Sequence, residues 1–340
     1  MKQVFLFLSK CFMVCAGTLL LLLILNYRYG QVRENPYSDA NKFNYMNSTY
    51  TDIQICNIGS SHGEYAFYYD ALAKMKGYEC FNFAMASQTY NYDYAILSMY
   101  RQHFSEECFM FIPVSYFSFN NEVTDESEQQ FLSSKYYTFL SPKYIPGYDP
   151  YVDLITHYFP ILSAGEDLIK IFPSLSLSVS AAEKSDGPTP DPSKEASFQE
   201  KALNRYHRHM DNKENYFLPE RIDNLYDILG FCRQNNITAV LITTPYTSYY
   251  SNLFSPEYKA EFRRLVDSIA KETGIPYYDY SADPRFSNSL EYFSDADHLN
   301  KEGAAVFTGI IEKEIPEFQE FLSKVKPNGK ELVPGWEPSF

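Results

Sequence analysis

Apolar and polar positions follow three different periods along this chain, and each period predicts a different kind of element. Residues 11–25 (CFMVCAGTLLLLLIL) form an unbroken uncharged run, with residues 4–8 apolar before it. At about 1.5 Å per residue, 11–27 spans about 25 Å, slightly short of a ~30 Å hydrocarbon core. Phe5, Phe7 and a Lys10 side chain reaching toward the headgroups can supply the remainder. No small-x-small cleavage site follows, because the next residues are Asn26-Tyr27-Arg28-Tyr29-Gly30. The run therefore reads as an uncleaved signal anchor rather than a removable signal peptide. Lys2 and Lys10 put its start on the cytoplasmic side; Arg28 and Arg33 weaken that orientation without reversing it.

Past a polar stalk at about 28–50, short apolar runs alternate with helix-period segments. Strands are predicted at 52–58 (DIQICNI), 78–84 (YECFNFA), 108–114 (CFMFIPV), 238–244 (TAVLITT) and 276–280, and helices at 64–75, 89–104, 220–233, 256–273 and 301–315. The third strand is apolar on both faces. Strands and helices alternating this way imply a three-layer α/β sandwich with a central, mainly parallel sheet. The α/β domain is expected over 51–320, with a tail at 321–340 and one large insertion at about 118–236. Within the insertion, helices are predicted at 126–138, 150–172 and 197–213. A mobile linker is expected at 181–197 (AAEKSDGPTPDPSKEAS), which holds three prolines and no apolar residue larger than alanine. Loops and insertions beyond the carboxyl ends of parallel strands lie where open α/β sheets bind ligands.

Charge narrows the partners. The formal net charge is −14, yet residues 1–33 carry Lys2, Lys10, Arg28 and Arg33 and no acid, so all 43 acidic side chains belong to the remainder. So acidic a body argues against nucleic acid and anionic phospholipid, which both reward clustered Lys and Arg. An apolar share of 45% excludes disorder throughout. Cys11 and Cys15 lie in the anchor, and Cys56, Cys80, Cys108 and Cys232 fall in strand-like or helical runs without a CxxC pair. Buried thiols are the expected state of those four. His103, His157, His207 and His209 are scattered, and no phosphate loop or dinucleotide fingerprint occurs, so neither a metal nor a cofactor is expected.

Two motifs carry chemistry. Gly59-Ser60-Ser61-His62-Gly63 ends the first strand. Glycine permits a sharp strand-to-helix turn there, placing Ser61 at a helix N-terminus where free backbone N–H groups can stabilise an oxyanion. An ordinary N-cap serine would read the same way. Asp295-Ala296-Asp297-His298-Leu299-Asn300 precedes the last helix. A histidine three residues after an aspartate can turn back to hydrogen-bond it, which fixes the tautomer and stabilises an imidazolium. Asn300 is expected to cap the helix, and Asp297 to be an exposed charge.

The chain order Ser61, Asp295, His298 resembles the SGNH (GDSL-like) hydrolase superfamily. The GSS order in place of GDS, the N-terminal anchor and the phrase GSSHGEYAF resemble its membrane-anchored DltD/AlgX/AlgJ-type branch. That resemblance implies an SGNH/flavodoxin-like fold, with Ser61 as nucleophile, His298 as general base and Asp295 as its orienting partner. The family's oxyanion hole joins the nucleophile's N–H to a glycine after the second strand and an asparagine after the third. No glycine occurs in residues 82–88, so Ala86 or Ser87 would donate a backbone N–H. No asparagine occurs in residues 113–116, so the Ser115 hydroxyl would serve, or Asn120 or Asn121 would loop back. Losing one oxyanion donor costs on the order of 10²–10³ in rate.

The resemblance implies an extracytoplasmic esterase or O-acyltransferase acting on acyl, chiefly acetyl, esters of a cell-surface glycan or polyol polymer. The alternative is a catalytically weak or inactive SGNH-fold accessory or binding protein for a membrane-embedded O-acyltransferase in cell-envelope polymer modification. His62 would either contact the acyl or leaving group or simply fill the turn. Among 31 tyrosines, many crowd the loops at strand carboxyl ends. Tyr65, Tyr116, Tyr246 and Tyr249, with Gln88, are the expected substrate-binding residues of a tyrosine-lined glycan cleft.

Overall fold

The computed structural model describes residues 2–32, 42–43, 46–47, 51–120, 135–151, 153, 158–163, 192–211 and 216–329. The first apolar run forms helix α1 (Lys2–Val32). Its stretch Lys2–Tyr29 is long and apolar enough to cross a membrane. The five predicted strands form one sheet: β1 (Ile53–Asn57), β2 (Cys80–Asn82), β3 (Phe104–Pro113), β4 (Ile237–Thr243) and β5 (Tyr277–Asp279). Its order is β2-β1-β3-β4-β5, and each neighbouring pair is parallel.

Period-two burial explains why both faces must be covered. Along β3, Cys108, Met110 and Ile112 enter one core cluster while Phe109 and Phe111 enter the other. One face packs α3 (Tyr90–Met99), α5 (Pro219–Gln234) and α7 (Pro256–Thr273), through residues such as Ile96, Leu229 and Phe262. The other packs α2 (Ser61–Ala66), α8 (Lys301–Glu314) and α9 (Pro316–Lys324), through Ala66, Phe307 and Phe318. The insertion supplies α4 (Pro192–Met210), and α6 (Ser248–Ser251) follows β4.

Several expected boundaries move. The helix predicted at 64–75 begins earlier and breaks: α2 ends at Ala66, Phe67 is extended, and a separate π turn covers Ala71–Met75. The helix predicted at 89–104 stops at Met99, a 3₁₀ turn follows at Arg101–His103, and β3 begins at Phe104. The expected stalk is not all polar spacer. Phe43 and Met46 are fully buried in the main core, and Phe43 stacks on Phe139 with centroids 4.1 Å apart. Nor does the domain end at 320, since α9 runs through it and Asn328 Nδ2 donates to Asp52 O at 2.8 Å. In the insertion, the described parts of the helices predicted at 126–138 and 150–172 include 3₁₀ turns at Lys135–Thr138 and Pro160–Ser163. The rest of those two segments lies mostly outside the described residues. So do 181–191 of the expected linker and Asn121, whereas 192–197 already belong to α4.

Candidate functional site

An order of 2-1-3-4-5 places a topological switch between β1 and β3, where a doubly wound sheet opens a crevice at its carboxyl edge. Ser61 follows β1 and Ser115 follows β3, so both lie at that edge, Ser61 partly exposed and Ser115 buried. The turn before Ser61 needs its glycines. Gly59 has φ +113°, and a Cβ there would press on the Pro113 ring at 3.3 Å. At Gly63 a Cβ would stand 2.3 Å from Ile58 O, so α2 crosses directly over the strand end. Beneath it, buried Asn57 and Asn82 both donate to Gly63 O, at 2.9 and 3.1 Å. Asp93, from the first turn of α3, accepts the Gly59 N–H at 2.8 Å.

The Asp295–Asn300 loop is built as tightly. Asp295 Oδ1 accepts the backbone N–H groups of Asp297 and His298 at 3.2 and 3.0 Å. Thr247 Oγ1 donates to Ala296 O at 2.6 Å, and Asn300 caps α8 by accepting from Gly303 N at 2.9 Å.

Together these two constructions bring Ser61, His298 and Asp295 into one chain of contacts. His298 Nε2 lies 2.8 Å from Ser61 Oγ, and His298 Nδ1 lies 2.9 Å from Asp295 Oδ2. Burial by itself would push the His298 pKa down, but the Asp297 and Asp295 charges outweigh it and hold the pKa above the ordinary histidine value. Burial would likewise raise Asp295, and the His298 interaction outweighs it, so Asp295 stays below the usual carboxylate range. Ser61 is partly exposed, as a group meeting a ligand must be.

Asp297 departs from expectation. It is buried, not solvated, and its Oδ2 lies 3.0 Å from His62 Nε2. Its Oδ1 sits 3.2 Å from Arg205 Nε and 3.8 Å from His298 Nδ1, without hydrogen-bond alignment to either. Burial would raise its pKa, but His298, His62 and Arg205 together hold it well below the carboxylate range. Arg205 also donates to Asp295 Oδ2 at 2.9 Å, so one guanidinium from the insertion bridges both acids. No sequence signal singled out Arg205, because it sits on a polar helix whose docking only the tertiary structure fixes. His209, on the same helix, was equally unmarked: its ring stacks on Phe117 at 3.8 Å, and burial pushes its pKa down to about 3.

The remaining candidates separate into neighbours of the site and supports for it. Tyr65 places its ring 5.2 Å from that of His298. Ala86 and Ser87 lie in a partly exposed turn, with Ser87 at φ +56° and Lys135 Nζ donating to Ala86 O. Ser115 does not present a spare hydroxyl, since its Oγ lies 2.7 Å from His62 Nδ1. Nor does Asn120 loop back: it is buried, with Nδ2 against Met210 Sδ at 3.2 Å. His62 itself is 1% exposed and meets other side chains rather than open space. Gln88 is buried and donates to Asp93 Oδ1 at 2.7 Å, which makes it a brace for the turn. Tyr116 and Tyr246 are core residues, with Tyr116 OH on Ser281 Oγ at 2.8 Å and its ring 5.1 Å from that of Phe262. Tyr249 ties α6 to Glu195 of α4. Of the six expected substrate contacts, His62, Gln88, Tyr116 and Tyr246 are buried and bonded within the fold, while Tyr65 and Tyr249 are partly exposed.

His62, Asp297 and His298 bring donor atoms within 4.8 Å of one another. They do not suit a cation. Arg205 already pairs with the same carboxylate, and the ring nitrogens face Ser115, Asp297, Asp295 and Ser61. Comparison with known proteins finds no family model and no curated relative that matches the chain. The reading of its chemistry therefore rests on the site's own geometry.

Proposed function

We propose that the chain is a serine esterase or O-acyltransferase of SGNH type, working by a two-step acyl-enzyme mechanism. The observation that carries this is the continuous Ser61–His298–Asp295 contact chain, at 2.8 and 2.9 Å, in the crevice of a doubly wound sheet. With Asp295 ionised, His298 Nδ1–H donates to it, leaving the Nε2 lone pair to take the Ser61 proton. Ser61 Oγ then attacks an ester carbonyl, and His298 returns the proton to the departing alcohol. Water, or a sugar or polyol hydroxyl, next attacks the acyl-serine with His298 again as base. The backbone N–H groups of Ser61 and of Ala86 or Ser87 are the proposed oxyanion donors. The substrate class, an acetyl or similar small acyl ester on a cell-surface glycan or polyol polymer, follows from the resemblance. The placement, α1 as a single-pass anchor with the domain outside the cytoplasm, is supported by the apolar run and by Lys2 and Lys10 at its start.

A second reading is favoured by one observation. The Ser115 hydroxyl that would replace the third oxyanion donor is tied to His62. A site short of that donor suits a weakly active or inactive accessory protein beside a membrane-embedded O-acyltransferase. Fluorophosphonate labelling separates the two. The enzyme reading expects wild-type protein to label at Ser61 and to turn over p-nitrophenyl acetate, and Ser61→Ala to lose both. Absence of both in wild type, with Ser61→Ala still supporting the cellular role, would establish the accessory reading instead.

A further inference from the structure

The site contains a second set of the same three residue types. Ser115 Oγ lies 2.7 Å from His62 Nδ1, and His62 Nε2 lies 3.0 Å from Asp297 Oδ2. This set interlocks with the first: His62 is the neighbour of Ser61, Asp297 is the neighbour of His298, and the two imidazole centroids are 5.4 Å apart. The rings point in opposite senses, since His298 turns Nε2 toward its serine and His62 turns Nδ1 toward its own.

Proton bookkeeping fixes what this second set does. Asp297 is an acceptor only, so His62 Nε2 must carry a hydrogen. Burial lowers the His62 pKa despite the opposing Asp297 bond and charge, so the ring is neutral. Nδ1 is then a lone pair and receives the Ser115 O–H, with Tyr246 OH a further 3.4 Å contact. Ser115, His62 and Asp297 are 3%, 1% and 2% exposed, and the Phe117 and Tyr246 rings stand 5.1 and 5.0 Å from His62. No substrate reaches this serine.

We infer that Ser115, His62 and Asp297 form a positioning relay that holds Asp297 as a second carboxylate against the His298 imidazole. The inference rests on the reading of His298 as the general base. Its physical sense lies in the charge count of the cluster. Asp295, Asp297 and Arg205 together carry one net negative charge while His298 is neutral, and none once His298 takes a proton. His62 adds no charge because it stays neutral. The buried cluster is therefore balanced only in the state that follows proton transfer from Ser61, so stabilisation is spent where the reaction needs it. The unaligned Asp297 Oδ1 fits this role, since it faces the edge where imidazolium charge develops. The groups facing His298 are Asp295 and Asp297 from its own loop, Ser61, His62 and Tyr65 from α2, and Arg205 and His209 from α4.

The test uses full-length protein in detergent and reads the rate of fluorophosphonate labelling at Ser61 against pH. Activity rises as His298 loses its proton, so removing a negative neighbour moves the acid limb to lower pH. Asp297→Asn is expected to shift the limb down by about one unit. His62→Ala, which frees Asp297 to turn and hydrate, shifts it the same way by less. His62→Gln keeps a donor toward Asp297 and returns the limb toward the wild-type position. A merely structural role would lower Tm in all three and leave the limb in place, and that result in folded variants overturns the inference. If Asp297→Asn does not fold, the His62→Ala and His62→Gln pair decides. If wild-type Ser61 never labels, the enzymatic reading falls separately. NMR titration of the His298 ring then still reads the relay: an unchanged midpoint in Asp297→Asn or His62→Ala overturns it.

Discussion

The backbone N–H of Gly59 donates to Asp93 Oδ1 at 2.8 Å, tying the turn before Ser61 to the first turn of α3. Burial pushes the Asp93 pKa up to about 7, although the Gly59 and Gln88 hydrogen bonds and the Lys135 charge oppose it. The folded protein therefore keeps a proton that the unfolded chain releases near pH 4. This contribution is fully present below about pH 4, is lost as pH rises toward 7, and is flat above. At about 1.4 kcal/mol per unit, the loss is on the order of 4 kcal/mol. Asp93→Asn keeps the Oδ1 acceptor and removes the titration. Its Tm should depend less on pH between 4 and 7 than that of wild type; equal slopes would show that Asp93 does not titrate there.

Crowding under α2 makes a second prediction. A methyl group at Gly63 would lie 2.3 Å from Ile58 O and 2.9 Å from the Ala84 side chain, with no flexible partner to yield. Gly63→Ala should cost about 2–4 kcal/mol and sharply slow Ser61 labelling. Gly309→Ala is the control, because it meets nothing within 4 Å in the interior of α8. It should be neutral or stabilising by up to about 1 kcal/mol in denaturant unfolding.

Arg205 provides a test of sign. Its positive charge pulls the His298 pKa down while both acids pull it up. Arg205→Gln should therefore move the acid limb of Ser61 labelling to higher pH, opposite to Asp297→Asn. Movement in the same direction as Asp297→Asn would mean that Arg205 acts by positioning the acids rather than by its charge.

The cysteines allow a check independent of activity. Cys56, Cys80, Cys108 and Cys232 are buried free thiols, and Cys56 Sγ and Cys108 Sγ stand 3.9 Å apart, well beyond bonding distance. Burial pushes the Cys56, Cys80 and Cys232 thiols up, away from the reactive thiolate. Alkylation of native protein should leave the four buried thiols unmodified and mark them after denaturation. Native labelling at Cys56 would contradict the packing of β1 against β3.

Local patterns made the sheet legible. The runs at 52–58, 108–114 and 238–244 read as short strands alternating with helix-period segments, the run at 108–114 apolar on both faces, and β1, β3 and β4 form there. Ends were less legible. Glu64 to Met75 reads as one helix by period, yet Phe67 leaves it to pack on Phe111 at 5.1 Å, a tertiary gain that no local propensity encodes. The tyrosines misled for a related reason. Their position in the loops was visible, but whether a ring turns inward depends on its neighbours, and Tyr116 and Tyr246 turn into the core.

By itself the sequence determined the apolar N-terminal helix, the alternation that yields a parallel sheet, and two short motifs holding Ser61, Asp295 and His298, which the family resemblance joined into one candidate site. Each is a local or near-local pattern: a run, a period, or a motif of a few residues at a strand or helix end. Only the tertiary structure decided that Asp297 is buried, that His62 faces it, that Ser115 completes the set and that Arg205 bridges the acids. Those contacts join α2, the β3 end, α4 and the Asp295–Asn300 loop, which are up to 235 residues apart between His62 and Asp297. A charge in a loop looks solvated until the elements that desolvate it are in place.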